Sequence, residues 1–296
     1  MSKNRIADVY LTHLANAGKS AHTVRAYRQD LADFARWHEQ TSGEAFDAQA
    51  VLPRDITEYR SALITRGRKP ATVNRRLVAL QRFYKWAYRQ KQVTENPFEI
   101  LEGVRVRQQQ GIAPKWLDQR QQLALLRAVR KGKRARDAAM IELMMKAGLR
   151  VSELASLMLS DVELSERAGK VIVRAGKGGK YREVPLSKDV RHALALYLQT
   201  REEDGSGRLF LGQRGPLNAA GIHYLVAKYA YQARLENVTP HTLRHTFGKN
   251  LVDAGVSLEQ VAALLGHESL DTVMIYTRPS QQDLERAVRK ASGEIL

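Results

Sequence analysis

The amino-acid sequence predicts a mostly α-helical protein with a small β-sheet (α+β), divided into two domains. Apolar residues recur at three- and four-residue steps through most of the first hundred residues, as they do on one face of an α-helix. The second half contains two short β-type runs around a glycine-rich turn. Residues 104–114 follow neither period and hold a glycine and a proline, which is typical of a linker. We therefore predict domains at 1–106 and 114–296, joined by a linker at 107–113.

Four helices are expected in the first domain. Ser20 or Thr23 can cap the second helix, Pro53 opens the third, and Thr72 caps the fourth, because these residue types favour helix starts. Asn96-Pro97 ends the bundle, since the residue before a proline avoids the helical region. The predicted ranges are about 6–14, 20–37, 53–65 and 72–87.

The second domain is predicted to be mixed. Its β-hairpin has a turn with three glycines, which adopt positive φ without strain. Ser187 caps the helix that follows the hairpin. The predicted elements are helices at about 117–131, 136–147 and 151–159, strands at 171–174 and 181–184, a helix to about 200, a strand at 209–211, and three further helical segments followed by a last helix at 281–290.

The charge balance points to a polyanionic partner. The chain of 296 residues has 48 lysines and arginines against 31 aspartates and glutamates, a net charge of +17. Nucleic acid is the first candidate for such a chain.

The sequence has no cysteine, which excludes disulfides and thiol catalysis, and no apolar run of membrane-spanning length. The sequence shows no signal peptide, so we expect a protein that acts inside the cell and makes no membrane contact. We also expect it to hold no metal.

A basic cluster precedes and enters the fourth helix. Beside other polar residues, its arginines could lie in a major groove or follow a line of phosphates. For any single arginine, a solubilising surface role is an equally good interpretation. The candidate DNA-binding residues are Arg25, Thr72, Asn74, Arg75 and Arg76.

Two motifs of the second domain place arginines at helix starts. Arg150 stands at the entrance of a helix, with Glu153 three residues later to hold it. His241 and Arg244 share the first turn of a helix that Thr239 caps, where exposed amides favour an anion. A surface ion pair is the plain alternative for Arg150 and Glu153. His241 and His245 have the spacing of a helical zinc site, but the sequence offers no third ligand nearby.

Two further motifs place ionisable groups near the end of the chain. Ser257 and Gln260 form a capping box, and Gly266 ends that helix, so His267 is fixed just beyond a rigid helix end. Tyr276 follows nine residues later, and we expect it to face a cleft while Val273 and Met274 pack inward. Singly, His267 is more often a benign cap and Tyr276 a core residue.

Taken in order, these motifs resemble the tyrosine recombinase family, the Xer and phage integrase type. The ordered features are Arg, Lys in a glycine-rich hairpin, His-x-x-Arg, Leu-Leu-Gly-His, and Tyr nine residues later. The resemblance covers essentially the whole chain and implies a helical core-binding domain followed by a tyrosine recombinase catalytic domain. Lys180 competes with Lys177 for the role of the hairpin lysine. The implied catalytic residues are Arg150, Lys177, His241, Arg244, His267 and Tyr276.

The resemblance implies a site-specific recombinase that cleaves and rejoins DNA through a 3′-phosphotyrosine intermediate, without metal or other cofactor. It implies that His241 takes the proton of Tyr276 and that Lys177 protonates the leaving oxygen. It further implies double-stranded DNA sites as the partner, a homo-tetramer on paired sites, and room for an accessory protein or partner recombinase. Such an enzyme would work in the cytoplasm, on the nucleoid.

Three other interpretations are compatible with parts of the sequence. A catalytically inactive DNA-binding regulator would need the basic helices but not all six implied residues. A type IB topoisomerase-like enzyme would use the same chemistry without a specific site. A zinc hydrolase would rest on His241 and His245.

Overall fold

We describe a computed structural model of the chain over residues 5–101, 115–174, 181–212, 215–267, 269–279, 284–285, 288–289 and 291–292. The chain divides into two compact units, Met1–Gln110 and Gly111–Leu296. The linker predicted at 107–113 lies outside the described residues, so the predicted boundaries stay a prediction.

The first unit is a bundle of four helices, as the apolar periodicity predicts. Large aromatic side chains fill its core, among them Phe34, Tyr59 and Phe83. Phe34 and Tyr59 meet edge to face, with ring centroids 5.0 Å apart. The helices are α1 (Arg5–Asn16), α2 (Ala21–Ser42), α3 (Pro53–Thr65) and α4 (Pro70–Arg89).

Two of these helices begin or end at residues other than those predicted. The second helix, α2, continues past Trp37 to Ser42 and ends where Gly43 adopts φ +75 and donates its N–H to the carbonyl of Glu39. The prediction that Thr72 caps α4 is wrong. The cap is Lys69, and Pro70 occupies the first helical position, where its fixed φ suits the helix.

The second unit is mixed. It contains helices α5 (Gln119–Lys131), α6 (Ala135–Lys146), α7 (Val151–Ser156), α8 (Lys188–Thr200), α9 (Ala219–Gln232), α10 (Pro240–Asp253) and α11 (Leu258–Leu265). Its strands are β1 (Val162–Leu164), β2 (Gly169–Arg174), β3 (Tyr181–Pro185), β4 (Leu211–Gly212) and β5 (Gly215–Pro216). Short 3-10 helices cover Leu159–Asp161, Leu270–Thr272 and Met274–Tyr276.

The predicted hairpin is confirmed as the antiparallel pair β2–β3, with Val171 opposite Val184. The strand β1 is not predicted from the sequence. It has only three residues and pairs with β2 as a third strand. The strand predicted at 209–211 is mostly wrong, since β4 begins only at Leu211. The backbone of Leu209 is satisfied elsewhere: its N–H donates to Leu157, and its carbonyl accepts from Tyr197 Oη at 3.0 Å.

The helix α6 is the centre of the second unit. Met140, Ile141, Leu143 and Met144 are fully buried, as for a helix surrounded on all sides by other elements. It packs against α8 and α10. Its end leads through a tight turn directly into α7, so this buried helix sets the position of Arg150.

In the part of the chain that the structure describes, no helix has the length and apolar character needed to cross a membrane.

Candidate active site

Arg150 is held at the start of α7 by its own helix. Its backbone N–H donates to Glu153 Oε2 at 2.7 Å, and its Nη1 donates to Glu153 Oε1 at 2.7 Å. Its Nη2 donates to the carbonyl of Gly266 at 3.0 Å. The side chain nevertheless remains 37% exposed. The guanidinium is therefore fixed in place while part of it stays accessible to an anion.

Arg244, in the first turns of α10, is almost fully buried beside Arg150. It donates to the carbonyls of Gly148 and Leu265, both at 2.5 Å, and lies 3.9 Å from Glu153 Oε2. Burial, and next the charge of Arg150, lower the pKa of Arg244 to about 10. The guanidinium therefore stays cationic at neutral pH.

The Glu153 carboxylate lies among three guanidiniums. Besides Arg150, it accepts a bidentate pair of hydrogen bonds from Arg182 on β3, at 2.9 and 2.8 Å. Burial would raise the pKa of Glu153, but the hydrogen bonds and charge of Arg182, with those of Arg150, hold it at about 2. A carboxylate that stays ionised reduces the mutual repulsion of the surrounding arginines.

His267 lies directly after α11, as predicted. Gly266 has φ +64 and ends the helix in the left-handed region, and a Cβ there would lie 2.9 Å from Arg182 Nη1. His267 Nδ1 is buried and has no hydrogen-bond partner among the described residues. Burial, and next the charges of Arg244 and Arg150, lower the pKa of His267 to about 4, so the ring is neutral at pH 7.

Tyr276 is buried, which contradicts the expectation that it faces a cleft. Its exposed fraction is 0%, and its ring packs so tightly on α10 that a Cβ on Gly248 would lie 2.5 Å from its Cζ. Val273 packs inward as predicted, but Met274 is half exposed. The sequence could not settle this, because 3-10 turns and not a regular α-helix set which side chains of 270–276 face inward.

The Tyr276 hydroxyl lies 3.1 Å from His245 Nδ1. Burial, and next His241 and Arg244, lower the pKa of His245 to about 4, so this ring is neutral at pH 7. Burial raises the pKa of Tyr276, while Arg244 and Arg150 act in the opposite direction. The phenol is therefore protonated and docked against a neutral imidazole.

His241 lies on the exposed side of this cluster. Its ring stacks on that of His245, with centroids 5.5 Å apart and planes 16° apart. Loss of hydration, and next the charges of Arg244 and Arg150, lower the pKa of His241, which leaves it able to accept a proton. No group of three or more histidine, cysteine, aspartate or glutamate side chains within the described ranges could hold a metal ion.

Of the six residues implied by the sequence, five thus lie in one region of the second unit. The sixth, Lys177, lies outside the described residues, as does its competitor Lys180. The strands on either side of it are described, and β3 supplies Arg182 from its second residue.

Sequence reasoning missed the roles of Arg182 and His245. A signal for Arg182 was available: it shares a strand face with buried Val184, and a charged residue on the buried face of a strand needs a buried partner. The sequence spacing presents His245 only as a possible metal ligand beside His241. Nothing in the local spacing links it to a tyrosine 31 residues later.

The candidate DNA-binding residues lie in the first unit, on α2 and α4. Arg25 is exposed and, among the described residues, has no ion pair. Thr72 and Asn74 lie in the first turns of α4. Arg75 forms an ion pair with Asp30.

Arg76 is held more tightly than Arg75. It forms an ion pair with Asp33, which also accepts from Tyr59 Oη at 2.8 Å. Asp30 and Asp33 of α2 thus pair with Arg75 and Arg76, which from the sequence alone look like part of an unpaired basic cluster.

Comparisons with known proteins identify the family of the chain. Residues 115–283 match the phage integrase family, and residues 7–91 match the phage integrase N-terminal SAM-like domain. The chain is 34% identical over 285 residues to tyrosine recombinase XerC of Thermodesulfovibrio yellowstonii, covering 90% of this chain and 91% of the relative. It is 36% identical over 276 residues to tyrosine recombinase XerD of Ralstonia nicotianae, covering 90% and 87%.

Solved structures have the same fold. The site-specific recombinase XerH bound to palindromic difH substrate, in a post-cleavage complex, is 25% identical, with coverages of 97% and 84% and a TM-score of 0.77. A lambda integrase dimer bound to a COC' core site, 18% identical with coverages of 94% and 96%, has a TM-score of 0.72.

Gly248→Ala tests the close approach of Tyr276 to α10. In a helix interior this change ordinarily stabilises by roughly 0.5–1 kcal/mol, but here the methyl group must displace the phenol ring. We expect the free energy of unfolding in urea to fall by roughly 1–3 kcal/mol. In a Tyr276→Ala background, the same change should become neutral or stabilising. An equal loss in both backgrounds would contradict the described packing.

Proposed function

Since the chain belongs to the phage integrase family and is a tyrosine recombinase that acts at specific DNA sites, we propose that Tyr276 is its nucleophile and attacks a DNA phosphate. The observation that carries this assignment is the convergence of Arg150 and Arg244 around one buried carboxylate, within electrostatic range of Tyr276. Arg150, Arg244 and His267 bind the phosphate, His241 takes the phenol proton, and Lys177 protonates the leaving oxygen.

The two arginines address the main difficulty of the reaction. A phosphodiester repels a nucleophile because its non-bridging oxygens are negative, and charge builds up further in the pentacoordinate transition state. Guanidiniums fixed before the reaction stabilise that charge without having to reorganise. Arg244 is held by two carbonyls and Arg150 by one carboxylate, so both are preorganised. The neutral His267 adds a hydrogen-bond donor to a phosphate oxygen.

Strand cleavage then exchanges one ester bond for another. The Tyr276 oxygen forms a bond to phosphorus as the bond from phosphorus to the 5′ oxygen breaks, giving a 3′-phosphotyrosine and a free 5′-hydroxyl. The phenol proton passes to His241, and the leaving oxygen takes a proton from Lys177. Because the phosphodiester energy is kept in the covalent bond, rejoining needs no ATP.

The docked phenol must leave its buried position before it can attack. Its hydroxyl bonds to His245 and its ring is enclosed by α10 and α11. The short 3-10 helices that carry Tyr276 contain few internal hydrogen bonds, which favours a rearrangement there over one in α10. We infer that DNA binding draws this segment out and brings the phenol in line with the phosphate.

The C-terminal segment supports a tetramer on paired sites. Leu284 and Val288 are helical residues at a four-residue spacing, and they are 49% and 67% exposed. Exposed apolar side chains that lie near one another favour a contact with another chain. We propose that this face docks on a neighbouring protomer of a homo-tetramer. With DNA as substrate, we place the assembly on the nucleoid in the cytoplasm.

Tyr276→Phe tests the nucleophile directly. The cleavage site is first mapped by sequencing the DNA that stays covalently bound to the wild-type enzyme after denaturation. On a nicked duplex that carries this site, the wild-type enzyme should form a covalent adduct. The variant should bind the same duplex with similar affinity and form no adduct, because it lacks the attacking oxygen. Denaturing gels of end-labelled DNA measure the adduct, and native gels of the same DNA measure the affinity. Equal adduct formation by Tyr276→Phe would refute the assignment.

Arg25→Ala and Arg76→Ala form a matched pair that tests DNA contact in the first unit. We propose that Arg25, Thr72, Asn74 and Arg75 contact DNA, while Arg76 mainly holds α2 against α4. Arg25→Ala should reduce the slope of log affinity against log salt by about 1 on random-sequence duplex. Arg76→Ala should leave that slope unchanged and lower the thermal midpoint. Unchanged slope for Arg25→Ala would contradict the contact.

A further inference from the structure

Arg182 enters the active site from β3, an element that supplies none of the six implied residues. Its position on the strand is opposite Val173 of β2, and it shares the inward face with Val184. The side chain is only 12% exposed. A guanidinium this enclosed is stable only if each of its donors finds a partner inside the protein.

All three nitrogens of the Arg182 guanidinium donate within the site. Nη1 and Nη2 donate to the two oxygens of Glu153, at 2.9 and 2.8 Å, which is the planar bidentate geometry that lysine cannot reproduce. Nε donates to the carbonyl of Leu264 at 2.9 Å. Arg182 therefore joins β3 to α7 and to the last turn of α11.

The two groups that Arg182 holds are the supports of the phosphate-binding side chains. Glu153 holds Arg150 through both its backbone N–H and its guanidinium. The last turn of α11 holds Arg244 through the carbonyl of Leu265 and leads into His267. Displacement of Arg182 would release both supports together.

We propose that Arg182 is a positioning residue for strand cleavage, which fixes Arg150 through the Glu153 carboxylate and fixes the end of α11 that precedes His267. The inference rests on the proposed function of this site. We assign Arg182 no phosphate contact, because all three of its guanidinium nitrogens donate to protein oxygens, whereas the bonds that hold Arg150 and Arg244 involve Nη1 and Nη2.

A pH profile separates this role from a merely structural one. The charged and titratable groups that face Glu153 are Arg150 from α7, Arg182 from β3 and Arg244 from α10, with His267 beyond α11. In the wild type, Glu153 stays ionised far below neutral pH. Without Arg182, burial would raise its pKa. Protonated Glu153 cannot hold Arg150, so cleavage should fall as pH falls through that raised pKa.

The test compares single-turnover cleavage of the nicked duplex by Arg182→Gln and Arg174→Gln between pH 5 and pH 8. Arg174 is the matched control, because it is also a strand arginine of the same hairpin and pairs with a buried carboxylate, Asp161, at 2.7 Å. We expect Arg182→Gln to slow cleavage on the order of 100-fold at pH 8, as for a misplaced site, with DNA affinity little changed. Toward pH 5 it should lose more activity than the wild type and Arg174→Gln, which share only the loss that protonation of His241 causes.

Two further variants complete the design. Glu153→Gln combined with Arg182→Gln removes the titrating carboxylate, so the pH dependence of its residual activity should return to that of the wild type. If Arg182→Gln does not fold, Arg182→Lys replaces it, and it should show a smaller loss with the same acidic decline.

The inference is overturned if Arg182→Gln, or Arg182→Lys in its place, has the same pH profile and near-normal rate as Arg174→Gln while the wild type cleaves. If the wild type forms no covalent adduct, the proposed function fails and this inference fails with it.

Discussion

The carboxylate of Glu153, enclosed by three arginines, is the interaction on which the rest of the site depends. Three guanidiniums this close would repel one another in a partly buried environment, and the ionised carboxylate makes their proximity stable. Its two oxygens are fully used, by Arg150 on one side and Arg182 on the other. The three arginines and Glu153 together therefore keep a net positive charge in a fixed place, where a phosphate can bind.

The helix α10 connects this charge to the nucleophile. Its first turns supply Arg244 toward the carboxylate and His245 toward the Tyr276 hydroxyl, and Gly248 one turn later gives the phenol ring room. Because one rigid helix carries all three, the phosphate pocket and the resting place of the phenol have a fixed relation. The phenol can then lie beside the pocket in its neutral form, since its burial raises its pKa and disfavours the phenolate.

The sequence predicted the architecture well where one physical rule acted alone. Apolar periodicity gave the four helices of the first unit, and the three glycines gave the hairpin β2–β3. Predictions failed where a local choice depended on partners far away in the chain. The strand expected at 209–211 gave way to bonds with Leu157 and Tyr197. The start of α4 differs for a local reason instead, because Pro70 suits the first helical position two residues before Thr72.

The site residues likewise divide into those that the local sequence predicts and those that depend on distant contacts. Arg150, Arg244 and His267 could be recognised, because each stands at a helix start or end that a glycine, proline or capping residue marks. The burial of Tyr276 and its bond to His245 could not, since they depend on how α10 packs against the 3-10 turns. The pairing of Arg76 with Asp33 likewise joins two residues that are 43 positions apart in the chain.

The central claim is that the arginines act by neutralising the charge of the scissile phosphate. A duplex in which a neutral methylphosphonate replaces that phosphate tests it directly, through single-turnover cleavage by Arg244→Ala. If charge neutralisation is the role of Arg244, the variant should be severely impaired on the phosphate and recover much of its relative rate on the methylphosphonate. Equal impairment of Arg244→Ala on both substrates would contradict the claim and assign the arginine to structure alone.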